Sequence, residues 1–200
     1  MREVKIVPYD LSWPEKFLIE SQAVWEALGE NCIEIYHIGS TAVKGLASKD
    51  VIDIMPVVRD INKVDECNTP MAELGYTPRG EDGIPFRRYF RKGPNIRTHH
   101  VHTFQIDNPQ IGRHIRFRDW MRNNLEDRQA YEDLKRHLVI KFSNDISAYC
   151  SGKDEFIAMI DKKAAQAADS LPLMRFKNNF MKKAYDSSWT EKFLIESQKD

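Results

Sequence analysis

Residues 37–55 read HIGSTAVKGLASKDVIDIM. Just upstream, CIEIYHIG (32–39) alternates apolar and polar residues as a half-buried strand does. Downstream, VIDIMPVV (51–58) is an almost continuous apolar run carrying one acid, Asp53, the pattern of a buried strand. Between them lies Gly39-Ser40. A glycine after a strand lets backbone approach a ligand closely, and a following helix start offers unpaired N–H groups to a phosphate. Ser40 and Thr41 add hydroxyls, and His37 stands two residues before the turn. An ionised carboxylate in an apolar strand is costly unless it is paired, hydrogen-bonded or bound to a metal. Asp53 is therefore a metal ligand or an acid satisfied by a neighbouring Arg or by backbone amides. Met55 occupies the place where a second carboxylate would share its strand face. Asp50, three residues away, falls on the opposite face.

From this centre the chain reads outward as a small mixed sheet followed by helices, an α/β (α+β) class with a helical C-terminal part. VKIVPYD (4–10) predicts an opening strand. Ser12-Trp-Pro-Glu15 predicts a capping box, and Phe17, Leu18, Val24, Trp25 and Leu28 continue an amphipathic helix over about 13–28. A helix over 62–74 ends at Gly75. Strands at 87–90 and 98–106 flank a Gly-Pro-Asn turn and predict a hairpin. A helix begins at Phe117, another runs from about 127 to 143, and Ser151-Gly-Lys-Asp caps a last one.

The domain expected from these elements is 1–167, with 168–200 an extension. In that extension YDSSWTEKFLIESQ (185–198) repeats YDLSWPEKFLIESQ (9–22) with two substitutions. Fourteen residues do not make a second domain. A truncated second copy is the plainer reading, and occupation of the first helix's groove in the manner of a domain swap is the sharper one.

The chain has 200 residues, with 30 Lys and Arg balancing 30 Asp and Glu. That neutrality speaks against a general nucleic-acid coat, while leaving room for a local basic pocket. Cys32, Cys67 and Cys150 are odd in number and form no CxxC, so neither a disulfide framework nor a zinc knuckle is expected. The N-terminus has no apolar signal core and the apolar runs are too short for a bilayer, so no membrane partner and a cytoplasmic location are expected.

Three further groups carry chemistry. In Thr98-His-His-Val-His102, His100 and His102 share one strand face. Such a pair with one carboxylate suits a metal, and equally suits phosphate binding or acid–base work near neutral pH. The second group is the run of basic residues 87–92 and 113–122, from which Arg88 and Arg118 are the candidates for bidentate contact with an anion. Tyr131 and Lys135, spaced i, i+4 on a helix, are placed to reach one pocket, with Tyr131 as a core residue the alternative, and Lys49 stands at the mouth of the Asp53 strand.

PYDLSWPEKF (8–17), HIGSTAVKGLASKDVIDI (37–54), THHVHTF (98–104), FRDWMRNN (117–124) and YEDLKRHL (131–138) together resemble the GrpB-like family of the nucleotidyltransferase superfamily. The resemblance runs in order across about 1–167. It implies a polymerase-β-like nucleotidyltransferase core, in which a Gly-Ser turn holds phosphates and paired carboxylates hold two magnesium ions. Gly39, Ser40 and Asp53 match that pattern; Met55 does not, and Lys44 and Asp50 stand where the family commonly has Pro. The expected site is Asp53, His100 and His102 as metal ligands and catalytic groups. His37, Gly39, Ser40, Thr41, Lys49, Arg88, Arg118 and Lys135 are expected around a nucleotide or phosphorylated metabolite. One divalent ion is expected, magnesium or manganese ahead of zinc. Metal-dependent nucleotidyl or phosphoryl transfer and a non-catalytic binding module both remain open, as does the oligomeric state.

Overall fold

The computed structural model describes residues 4–94 and 96–170. The chain divides into two compact units, Met1–Gln166 and Ala167–Asp200, and the fold below is that of the first. The second copy of the opening helix motif, at 185–198, lies outside the described residues.

Five strands form one mixed sheet: β1 (Cys32–Ile38), β2 (Ile52–Val58), β3 (Tyr76–Pro78), β4 (Arg87–Lys92) and β5 (His99–Gln105). Their spatial order is β1-β2-β5-β4-β3, with β2 and β5 parallel and every other neighbouring pair antiparallel. The central parallel pair sets the register that matters, because it puts Asp53 directly beside His100. Strand β4 in turn places Tyr89 opposite His102.

Helices cover both faces. Helix α1 (Trp13–Leu28) and the short α2 (Asn68–Glu73) pack on one side, where Trp13, Val24, Leu28 and Met71 meet Ile52, Ile54, Phe90 and Val101 in the main core. Residues of alternate parity point the other way. There Met55, Ile38 and Phe104 are sealed by Ile111 and Ile115 of α3 (Pro109–Asn123). The remaining helices, α4 (Leu125–Lys141), α5 (Ile146–Ser151) and α6 (Asp154–Ser170), complete a helical layer. Met121, Tyr131 and Ile160 of this layer enclose Val43 and Leu46 of the loop between β1 and β2.

Several local expectations are corrected. Residues 4–10 form no strand; a single bridge joins Val7 to Ser48. Ser12 makes no side-chain cap. Its own N–H is bound by Asp10 Oδ1 at 2.8 Å, so the turn is held one residue pair earlier than a capping box would hold it. The 62–74 helix is a 3-10 segment to Cys67 followed by α2. Helix α3 starts at Pro109 rather than at 117, because Asn108 caps it through a bond from Gln110 N–H. Strand β3 and helix α5, each at most six residues long, are too short to leave a periodic signal.

Candidate functional site

The loop from β1 to β2 builds the floor of the site. Gly39 has φ of 71°, a left-handed conformation, and a Cβ there would lie 2.5 Å from Asp53 Oδ2. Glycine is thus required twice, for backbone conformation and for the carboxylate packed against it. No α-helix follows. Ser40–Ala42 is one 3-10 turn, so the expected set of free N–H groups at a helix start is replaced by the Ser40 hydroxyl and the side chains around it.

Basic groups of the helical layer staple this loop through its carbonyls. Arg118 donates to His37 O at 3.1 Å, Arg122 to Ala42 O at 3.0 and 2.8 Å, and Arg128 to Lys44 O at 3.1 Å. Two arginines of the basic run at 113–122, Arg118 and Arg122, thus hold the turn in place, while Arg113 pairs with Asp161.

Asp53 Oδ1 accepts from His100 Nδ1 at 3.2 Å and from His102 Nε2 at 3.4 Å. One ligand atom from each of these three residues falls within 4.8 Å of the others. Burial pushes the Asp53 carboxyl up, but the hydrogen bonds from the two imidazoles outweigh it and hold the group well below the usual carboxylate range. Burial drives His102 the other way, towards its neutral form. The two tendencies are compatible, since a neutral imidazole N–H still donates to the carboxylate.

Arg87 fixes which nitrogen of His102 carries the proton. Its guanidinium is 3.3 Å from His102 Nδ1 and has no acceptor of its own, so Nδ1 must accept and the proton sits on Nε2, facing Asp53. Arg87 is 6% exposed, lies 4.7 Å over the Tyr89 ring and donates to the Glu81 and Asp82 carbonyls.

A cavity of about 290 Å³ opens in front of Asp53 and His100. Gly39, Ser40 and Tyr89 complete the sheet side. The far wall carries Lys135, Lys49, Lys153, Tyr131 and Tyr149, with Cys150 at its edge. Lys135 is 2% exposed; its Nζ donates to the Ala47 carbonyl and to Ser40 Oγ (3.3 Å) and lies 4.8 Å over the Tyr131 ring. Burial pulls its ammonium down to about 7, helped by the charges of Lys153 and Lys49 and opposed by Glu132. A larger open depression at residues 141–145 gathers none of these groups.

The structure therefore brings together Gly39, Ser40, Lys49, Asp53, His100 and Lys135, with His102 behind Asp53. It takes four expected ligand contacts elsewhere. His37 stacks on Phe17 (4.6 Å between rings) and bonds Thr41 Oγ1 through Nε2 at 3.0 Å, so both side chains are used in supporting the turn. Arg88 is clamped by both oxygens of Asp65 at 2.7 and 2.8 Å, and Arg118 is held by Asp119 and the His37 carbonyl. Lys153 and Tyr149, which line the cavity, and Arg87 behind it lie outside the set expected from sequence. Lys153 sits in the Ser-Gly-Lys-Asp stretch, which reads from sequence as a helix cap and gives no sign that its side chain turns into a cavity.

One carboxylate and two imidazoles converging at this spacing suit a divalent ion, and they leave coordination positions open for a ligand. The outer partner of His102 does not conform to the usual pattern, in which a ligating imidazole donates its second N–H to an acceptor. Arg87 offers a donor instead, so Asp53 and His100 fit an ion more readily than His102 does.

Taken together, these features define a mixed α/β protein with an Asp-His-His constellation facing a lysine-walled cavity. The chain belongs to the GrpB family, whose model, described as GrpB protein, matches residues 3–163. The crystal structure of the conserved protein GrpB from Enterococcus faecalis superposes with a TM-score of 0.79 at 42% identity, covering 82% of this chain and 99% of that one. The UPF0157 protein YqkA of Bacillus subtilis is 41% identical over 163 residues, 82% of this chain and 48% of its own length. The chain thus spans about half of that relative. A Mycolicibacterium paratuberculosis protein named dephospho-CoA kinase is 28% identical over 84% of this chain and 47% of its own length. Among the described residues no helix is long and apolar enough to cross a membrane.

Proposed function

We propose that this chain binds a nucleotide or phosphorylated small molecule in the Asp53–Lys135 cavity, on a nucleotidyltransferase-like (polymerase-β-like) core, and carries out phosphoryl or nucleotidyl transfer with one divalent ion. The observation that carries this reading is a single cavity uniting an Asp53–His100 ligand pair with Ser40 and the buried Lys135. Ser40 and Lys135 take phosphoryl oxygens by charge-assisted hydrogen bonding. Tyr131 and Tyr149 narrow the cavity and exclude water around the bound group. A magnesium or manganese ion held by Asp53 and His100, and by His102 if its proton moves, would polarise a phosphoryl oxygen as a Lewis acid. A phosphorylated ligand accords with the name dephospho-CoA kinase carried by the mycobacterial relative, of which this chain matches 47%.

The second reading, a binding module without turnover, is favoured by Met55. Its side chain is fully buried under α3, so the position of a second metal-binding carboxylate is sealed in apolar core rather than open to the cavity. Asp53→Ala separates the two. In the transfer reading it abolishes turnover and weakens Mn²⁺ binding at least tenfold by electron paramagnetic resonance, while phosphate-ligand affinity is kept or improved. Metal-independent binding of a nucleotide with no turnover leaves the module. No response to nucleotides or sugar phosphates, with or without Mn²⁺, in thermal-shift and calorimetric titrations overturns both.

A further inference from the structure

Lys49 and Lys153 flank one aromatic ring. Their Nζ atoms lie 5.2 and 4.7 Å from the centre of Tyr149, a ring that is 1% exposed and fixed against Val4 and Leu138. Each lysine is also fixed at its backbone. Lys49 follows the Val7–Ser48 bridge and its carbonyl accepts from Val51 N–H at 2.8 Å; Lys153 N–H donates to Cys150 O at 3.2 Å at the junction of α5 and α6. Neither makes an ion pair with a carboxylate among the described residues. Asp53, the acid in the cavity, is hydrogen-bonded by His100 and His102 and carries one negative charge at most. Lys49 and Lys153 at one ring, with Lys135 in the same lining, put more basic groups around the cavity than the one Asp53 carboxylate balances, and an anion between them relieves their mutual repulsion. A cavity of about 290 Å³ has the volume of on the order of ten waters, which is far more than one phosphoryl group fills. It is also at the small end for ligand pockets, so the group filling it is compact.

Resting on the phosphate-binding reading above, we propose that the ligand of this cavity carries two linked phosphoryl groups. One is held by Ser40 and Lys135 near Asp53, and the other by Lys49 and Lys153 around Tyr149. The ligand class is a diphosphate, either as the inorganic ion or as the diphosphate of a nucleotide whose nucleoside lies toward the cavity mouth.

Calorimetric titration of the full chain with inorganic pyrophosphate, orthophosphate and ADP, each with Mg²⁺, tests this. Pyrophosphate binds at least tenfold more tightly than orthophosphate. Lys153→Gln removes about tenfold of the pyrophosphate affinity, the scale of one lost charge-assisted contact, and leaves orthophosphate within about twofold. Lys153→Arg keeps most of the pyrophosphate affinity, Lys49→Gln repeats the split as a second variant, and thermal unfolding without ligand checks that each variant is folded. ADP tighter than pyrophosphate assigns the diphosphate to a nucleoside, and ADP equal or weaker assigns it to the free ion or another carrier; either upholds the two-phosphoryl ligand. Equal affinities for the two inorganic ions, or a Lys153→Gln loss that is absent or shared equally between them, overturns it and leaves phosphate binding standing. Failure of all three probes to bind overturns phosphate binding itself.

Discussion

Asp53 and Lys153 look into the same cavity from different layers, and their surroundings are opposite in kind. On the sheet side the groups around the carboxylate are linked in a chain: Asp53 accepts from two imidazoles, His102 accepts from Arg87, and Arg87 also donates to two carbonyls. Around Tyr149 of the helical layer, Lys153 and Lys49, the latter reaching over from the β1–β2 loop, share a ring and make no ion pair with a carboxylate among the described residues. A satisfied network sets geometry and resists rearrangement. An unbalanced cluster of like charges is destabilising on its own and becomes favourable once an anion joins it. The sheet therefore supplies position and the helical layer supplies attraction.

The strongest way to break the sheet side is Gly39→Ala. The added Cβ would meet the Asp53 carboxylate at 2.5 Å, in a backbone conformation that disfavours any side chain. A loss of about 2–4 kcal/mol in urea unfolding is expected, together with loss of Mn²⁺ binding. An unchanged midpoint would show that the Gly39–Asp53 contact does not constrain the turn.

That contact illustrates how far the sequence could be read. The alternation of β1 and the apolar run of β2 made both strands visible, and the glycine between them marked the turn. The pairing of β2 with β5, which brings Asp53 and His100 into register across forty-seven residues, depends on tertiary packing and leaves no local trace. Composition likewise flagged the arginines, but could not say which would be used within the protein. Arg88 and Arg118 each found a carboxylate or carbonyl close by, whereas Lys153, one cation in a capping stretch, turned into the cavity. Met55 was legible as a missing acid; that α3 seals its position in apolar core was not.

Acid sharpens the contrast between the two layers. Burial lowers His37 to about 4 and His114 to about 3, with nearby arginines and, for His114, His102 pushing the same way. Their folded values lie below the unfolded value of about 6.5, so the unfolded chain binds more protons between these limits. Their contribution is complete above pH 6.5 and is lost as pH falls towards 4. The depressed Asp53 carboxyl adds a further loss below its ordinary range, near pH 4. Unfolding free energy should thus drop by on the order of a few kcal/mol between pH 6.5 and 4. His37→Phe and His114→Phe should each flatten part of that slope in urea titrations across pH. A flat profile in the parent protein would mean that these rings are solvated.

The smallest and most selective change is at Arg87. As it stands, its guanidinium keeps the His102 proton on Nε2, the nitrogen that faces Asp53 and would have to ligate an ion. A glutamine at this position can turn its carbonyl oxygen to Nδ1 and accept a proton there, which is the partner a ligating imidazole ordinarily has. Arg87→Gln should therefore tighten Mn²⁺ binding by roughly three- to tenfold. It should also cost about 1–2 kcal/mol of stability, because the Glu81 and Asp82 carbonyls lose their donors. The two effects separate experimentally, since affinity is measured on folded protein well below the unfolding transition. Gain of affinity with loss of stability identifies Arg87 as the group that keeps His102 in reserve. Unchanged or weaker Mn²⁺ binding would instead restrict the ion to Asp53 and His100, leaving His102 to orient the carboxylate alone.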